Sequence, residues 1–151
     1  MIKQQLPFLP AGENKLTLII PGEPIAQPRA RATGIGGHAR MYTPTKNGIS
    51  VYKAAIRLIA SQHFAGSPLE CPVRIDNTFV FSRPGRLIWK TRPMPRMPHT
   101  SLRDRDNLDK AVLDALTGVV LKNDKIAWCG FIQKVYAASD EQPHTEIIIS
   151  W

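Results

Sequence analysis

Two hydrophobic periods, alternation and helical spacing, divide this chain into six segments. Lys15 to Pro21 (KLTLIIP) is a short apolar run and reads as a buried strand. Ile49, Tyr52, Ile56, Ile59 and Ala60 recur at helical spacing. Ahead of them Thr43-Pro44 offers a capping hydroxyl and a first-turn proline, so a helix is predicted from about residue 44 to 63. Pro72 to Ser82 alternates, with Val73, Ile75, Asn77, Phe79 and Phe81 on one parity, which predicts a strand. The clearest helix carries Leu108, Ala111, Val112, Ala115, Leu116 and Val119 as one apolar stripe, with Gly118 suited to a left-handed residue past its end. Ile126 to Ala137 and Thr145 to Trp151 complete the pattern as two strands around the polar turn Ser139-Asp140-Glu141-Gln142-Pro143. The order β-α-β-α-β-β describes a compact mixed α/β (α+β) domain. A single domain is expected over residues 1–151, with residues 1–14 as a flexible leader.

Two segments have neither period. Residues 22–42 are rich in Gly, Pro and Arg and read as a loop, and residues 83–103 read as a second one that contains no acid at all. Each precedes a helix, which would put both at one end of the sheet. The chain carries 20 Lys and Arg against 12 Asp and Glu, a formal charge of +8. That balance favours nucleic acid or another anionic partner. Cys71 and Cys129 are too few for a disulfide framework and lack metal spacing. The first ten residues have no apolar signal region, and no stretch is long enough to span a membrane, so a cytoplasmic protein is expected.

Against that charge, the acids are concentrated in one place. Asp104 and Asp106 stand two positions apart at the start of the second helix, Lys110 follows one turn on, and Asp124 lies in the turn beyond. Like charges held together are costly unless a cation neutralises them. Hard oxygen ligands with no Cys or His nearby suit Mg²⁺, with Mn²⁺ as a substitute. A metal so held activates water and polarises a phosphodiester, and Lys110 would hold the phosphate. A plainer reading fits the same residues. Asp104 and Asp106 would cap the helix, and Asp106, Lys110 and Asp114 would form a surface ion-pair ladder. Asp109 reads as solvated face.

The run RDRDNLDKAVLDALTGVVLKNDKI resembles the signature of the RusA family of Holliday junction resolvases: Asp, any residue, Asp-Asn-Leu, a lysine three after the asparagine, Leu-Asp-Ala-Leu, and a polar turn ending in Asp. Gly22-Glu23-Pro24, Tyr42-Thr43-Pro44, Phe81-Ser82-Arg83-Pro84 and Pro98-His99 are similar to weaker parts of the same pattern. The resemblance implies that Asp104, Asp106 and Asp124 bind metal, and that these three with Lys110 are catalytic. It implies an Mg²⁺-dependent endodeoxyribonuclease, a homodimer that resolves four-way DNA junctions by paired symmetric nicks with 5′-phosphate ends. No organic cofactor and no membrane enter that picture, and a bacterial or phage source is expected. The chain departs from the pattern at Asn123, where relatives often have a second Asp, and at Arg103, where many have Pro.

Candidate phosphate contacts are Arg29, Arg31, Arg40 and Lys46 in the first loop, and Arg83, Arg86, Lys90, Arg92, Arg96 and Arg103 in the second, with Lys134 weaker. Trp89 would stack on a base or anchor a chain contact. His99 reads as a turn residue more readily than as a general base. Two rivals share the sequence evidence: a non-catalytic junction-binding accessory protein, and a metal-dependent nuclease for other branched DNA.

Overall fold

The computed structural model describes residues 14–42 and 47–151. Its main sheet contains β1 (Lys15–Pro21), β4 (Val73–Phe81), β5 (Met97–Pro98), β6 (Ala127–Cys129), β7 (Ile132–Tyr136) and β8 (His144–Ser150). The strand order is β1-β8-β4-β7-β5, and β6 pairs with β4 in line with β7. β8 is antiparallel to both β1 and β4, whereas β6 and β7 run parallel to β4. Two helices, α1 (Ile49–His63) and α2 (Arg105–Leu116), complete a mixed α+β fold.

Register explains which face the helices cover. Leu16, Ile149 and Ile75 are aligned across three strands, as are Leu18, Ile147 and Asn77, and Ile20, Thr145 and Phe79. Directly opposed residues point to one face, and all nine of these are buried. The helices bring Tyr52, Ile56 and Ala60 from α1, and Leu108, Ala111, Val112, Ala115 and Leu116 from α2, into the same core. Two polar ties cross the layers. Tyr52 Oη lies 2.7 Å from Thr145 Oγ1, and Asn77 Nδ2 donates to Asp109 Oδ1 at 2.7 Å. Burial pushes the Tyr52 hydroxyl up to about 12, with the Thr145 bond opposing it.

The expected order holds for its six main elements, but the intervening segments are more ordered than their composition suggests. Residues 22–42 are not a plain loop, since β2 (Arg31–Ile35) and β3 (His38–Tyr42) form an antiparallel hairpin apart from the main sheet. Gly36 and Gly37, at φ 66° and 77°, make its two-residue turn, a conformation that favours glycine and matches strand twist. Residues 83–103 carry a 3-10 turn, Gly85–Leu87, and the short β5. The segment expected as one strand from Ile126 is divided into β6 and β7 at Gly130 and Phe131, and its register against β4 shifts just before that, between Ala127 and Cys129. A Cβ at Gly130 would overlap the Ile75 carbonyl, so only glycine lets the two backbones approach.

The first helix starts at Ile49, after Gly48 in a left-handed conformation, and the expected Thr43-Pro44 start lies outside the described residues. Most of the expected leader lies outside them too. Its last residue, Asn14, exchanges backbone hydrogen bonds with Trp151 and continues the β1–β8 ladder. No helix among the described residues is long and apolar enough to cross a membrane.

Candidate active site

The start of α2 is built by the segment that precedes it. Arg103 has φ 95°, the one non-glycine residue with positive φ among the described residues. Such a backbone is strained and persists only where its surroundings fix it. Lys134 Nζ does so from β7, donating to the Arg103 carbonyl at 2.7 Å, while the Arg103 guanidinium reaches the Pro24 carbonyl at 3.4 Å. Asp104 follows as the residue capping α2, extended at φ −66° and ψ 133°. The two arginine-rich segments therefore meet at one end of the sheet, as expected.

Asp104 does not act as a cap through its side chain, which makes no hydrogen bond to the helix backbone. Its carboxylate instead accepts from Arg29 Nη2 at 2.6 Å and, more weakly, from the Asn107 amide at 3.4 Å. The ion-pair ladder is incomplete as well. Lys110 lies 4.0 Å from Asp114, and Asp114 is nearer to Lys53 of α1 at 3.3 Å. Among the described residues, the carboxylates of Asp106 and Asp124 have no ion-pair partner, and both residues are exposed. The capping and ladder account of these acids therefore explains little of their arrangement.

Asp104, Asp106 and Lys110 share the head and first turns of α2. Asp124 begins the 3-10 turn Asp124–Ile126, beyond the other end of that helix. The 12 residues of α2 span about 18 Å. Ala127, three residues after Asp124, pairs with Val73 at the start of β4, whereas the Arg103 guanidinium beside Asp104 lies over Phe81 at its end. One chain thus groups two of the three acids and places the third towards the opposite end of that strand. Beside Asp104 opens a cleft of about 670 Å³, lined in part by Gln27, Arg29, Arg31, Asn47, Arg103 and Asn107. Among the described residues, Asp104 is the one acid on its wall.

The donor set suits a hard divalent cation, because it offers exposed carboxylates without sulfur or imidazole. The Arg29 guanidinium seated on Asp104 shows that this position already holds positive charge. A different set, Glu141, His144 and Glu146, has ligand atoms within 4.8 Å of one another. There Arg96 donates to both glutamates, and His144 Nε2 lies 2.9 Å from Glu146. Arg96 holds Glu141 below the usual carboxylate range. This cluster is already neutralised and braces the 83–103 segment against the turn before β8. Its spacing in the sequence, a turn glutamate with His144 and Glu146 two apart on a strand, was the signal for it.

The candidate phosphate contacts separate into free and committed groups. Arg31 and Arg40 stand exposed on the hairpin, and Arg86 is exposed on the 3-10 turn. Arg92 lies 3.9 Å over the Trp89 ring. Arg83 is committed to the carbonyls of Leu87, Pro95 and Ala137, and Arg96 to two glutamates. Lys46 lies outside the described residues. His99 is neither a turn residue nor a solvated base. It is buried between the rings of Phe81 and Tyr136, at 4.4 and 4.5 Å, and burial lowers its pKa.

Asp109 corrects another expectation. It is half-buried, not a solvated face, and burial raises its pKa while the Asn77 bond opposes the rise. Asn77 is itself fully buried, and its Oδ1 has no partner. An asparagine on the apolar parity of β4 was the one sign of this pair in the sequence.

Comparison with known proteins gives two findings. A family model described as endodeoxyribonuclease RusA matches residues 21–150. An uncharacterized protein of Bacillus subtilis (strain 168), YqaN, is 29% identical over 133 residues, covering 85% of this chain and 90% of its own length.

Proposed function

Since this chain belongs to the RusA endodeoxyribonuclease family, we propose that it is an Mg²⁺-dependent nuclease that resolves four-way DNA junctions as a homodimer. The observation that carries this reading is the head of α2, where exposed Asp104 borders a basic cleft and exposed Asp106 follows it in the first turn, on the family's own motif. Asp104, Asp106 and Asp124 would hold the ion, Mg²⁺ or in its place Mn²⁺. When bound, it supplies an activated water and neutralises charge on the phosphodiester.

The chain's own groups do the rest. Lys110, exposed one turn into α2, meets the scissile phosphate and steadies the charge that builds on it. Arg29 leaves Asp104 for the phosphate backbone when DNA enters, with Arg31 and Arg103 beside it on the cleft wall. Hydrolysis breaks the bond between phosphorus and the 3′ oxygen, leaving a 5′-phosphate and a 3′-hydroxyl for ligation.

The homodimer is supported by where the acids lie. Asp124 and Asp104 lie towards opposite ends of β4 within one chain, so a site using all three calls for Asp124 from a second copy. Two-fold symmetry would then pair two sites with two phosphates of a four-way junction. A nuclease acting on DNA in this way would work in the cytoplasm, in a bacterium or a phage-infected cell.

The test is an end-labelled four-way junction beside a matched linear duplex, each with Mg²⁺ or EDTA, and with Asp104→Asn as the control. Symmetric, ligatable nicks on the junction alone, absent with EDTA or the variant, are expected. Cutting of flaps and forks in preference to junctions would shift the substrate class. Junction binding without any cutting would leave an accessory protein.

A further inference from the structure

The hairpin β2–β3 has no role in the fold that its geometry explains. It pairs with no strand of the main sheet, and its described side chains are exposed apart from the half-buried Thr33. A lone two-stranded ribbon is marginal in water, so an exposed one calls for a partner. Register sorts its side chains. Arg31 faces Tyr42 and Thr33 faces Arg40 on one side, while Ala32 faces Met41 and Gly34 faces Ala39 on the other. One face is therefore cationic and hydrogen-bonding, and the other small and apolar. The chain has no Asp or Glu from residue 24 to residue 69, so nothing in the ribbon repels phosphate.

The ribbon is also rooted beside the proposed chemistry. Arg31, its first residue, lines the cleft that contains Asp104. After Tyr42 the chain is back at that cleft by Asn47, whose amide donates to the Ala26 carbonyl at 3.4 Å. Strands of 5 residues extend about 17 Å and lie about 4.8 Å apart. A two-stranded ribbon of that size fits a major groove about 12 Å wide and is too broad for a minor groove of about 6 Å.

We infer that the hairpin Arg31–Tyr42 lies in the major groove of the duplex arm next to the cleaved phosphate, with Arg31, Thr33 and Arg40 towards the DNA. It thereby sets which arm enters the cleft and at what distance from the branch. The inference rests on the proposed nuclease reading and adds the element that grips the duplex. A reach of 17 Å corresponds to about five base pairs.

Methylation protection with dimethyl sulfate separates the grooves, since it reports guanine N7 in the major groove and adenine N3 in the minor. The full chain would be bound to a four-way junction with Ca²⁺ in place of Mg²⁺. Guanine N7 should be protected over about five base pairs of the arm beside the nick. Replacing residues 31–42 by a short Gly-Ser linker should remove that protection and weaken junction binding about ten-fold. Arg40→Glu, a smaller change, should weaken both in the same direction. Protection at adenine N3, or N7 protection that survives the replacement, would overturn the inference. So would loss of the dimer with an unchanged footprint, which would make the ribbon a contact between copies. A chain that cuts junctions without N7 protection sinks the ribbon alone. One that neither binds nor cuts branched DNA removes the nuclease reading as well.

Discussion

Arg29 and Asp104, 75 residues apart, meet at 2.6 Å, so the first basic segment is held on the carboxylate that heads α2. Both side chains are more than half exposed, at 74% and 56%. Pairs so exposed contribute about 0.2–1 kcal/mol. A cation at Asp104 must displace this guanidinium. Arg29→Ala should therefore bind Mn²⁺ up to about five-fold more tightly without DNA, while its affinity for junctions falls. Titration of Mn²⁺ by electron paramagnetic resonance checks the first half, and unchanged Mn²⁺ affinity would show that Arg29 does not compete.

Lys110→Ala should leave junction binding within about two-fold and slow cleavage by roughly 10²–10³, as expected where one cationic group stabilises a transition state. Gel shifts and single-turnover cleavage separate the two. A parallel loss of binding would make Lys110 a phosphate anchor with no part in the chemical step.

Asp109 gives a pH signature. Burial raises its pKa in the folded chain above the unfolded value, so its ionised form destabilises the fold at neutral pH. The penalty is relieved as pH falls through the raised pKa towards the unfolded value of about 3.9. Asp109→Asn keeps an acceptor for Asn77 and removes the charge. It should melt higher than the unchanged protein at pH 7, by about 2–4 °C for each kcal/mol recovered, and the gap should close near pH 4. Melting curves across that range test it, and a gap that ignores pH would discredit burial as the cause.

Gly130→Ala should destabilise by about 3 kcal/mol, because the added methyl overlaps the Ile75 backbone at the junction of β6 and β7. Urea unfolding measures this directly. Gly22→Ala makes a control, since no atom lies within 4 Å of a Cβ there and only its positive φ opposes the change.

Much of this fold is legible where periodicity is strong. The α2 stripe of Leu108, Ala111, Val112, Ala115 and Leu116 is buried as its spacing predicts, and so is the β4 parity from Val73 to Phe81. The family was legible from Asp104 to Asp124, and the match over residues 21–150 agrees. What composition concealed was local pairing. Gly36-Gly37 is a two-residue hairpin signal, but the flanking strands are short and exposed and their apolar parity holds only Ala, Gly and Met, so the alternation was too weak to mark them. Long-range pairing was hidden for another reason. Nothing near Asp104 in sequence indicates Arg29, nothing near Asp109 indicates Asn77, and nothing near Arg96 indicates Glu141 and Glu146. Only tertiary structure brings such partners together.

The hairpin Arg31–Tyr42 contributes almost nothing to the buried core, and this determines what its mutation can do. Surface changes away from the core alter stability by less than about 0.5 kcal/mol. Residues 31–42 can therefore drift with little penalty in folding, whereas a change in β4 or α2 is first judged by whether the protein survives it. Variation in the ribbon would reach the partner without passing through stability. That makes it the part of this molecule most open to evolutionary retuning, and the first place to graft a foreign sequence.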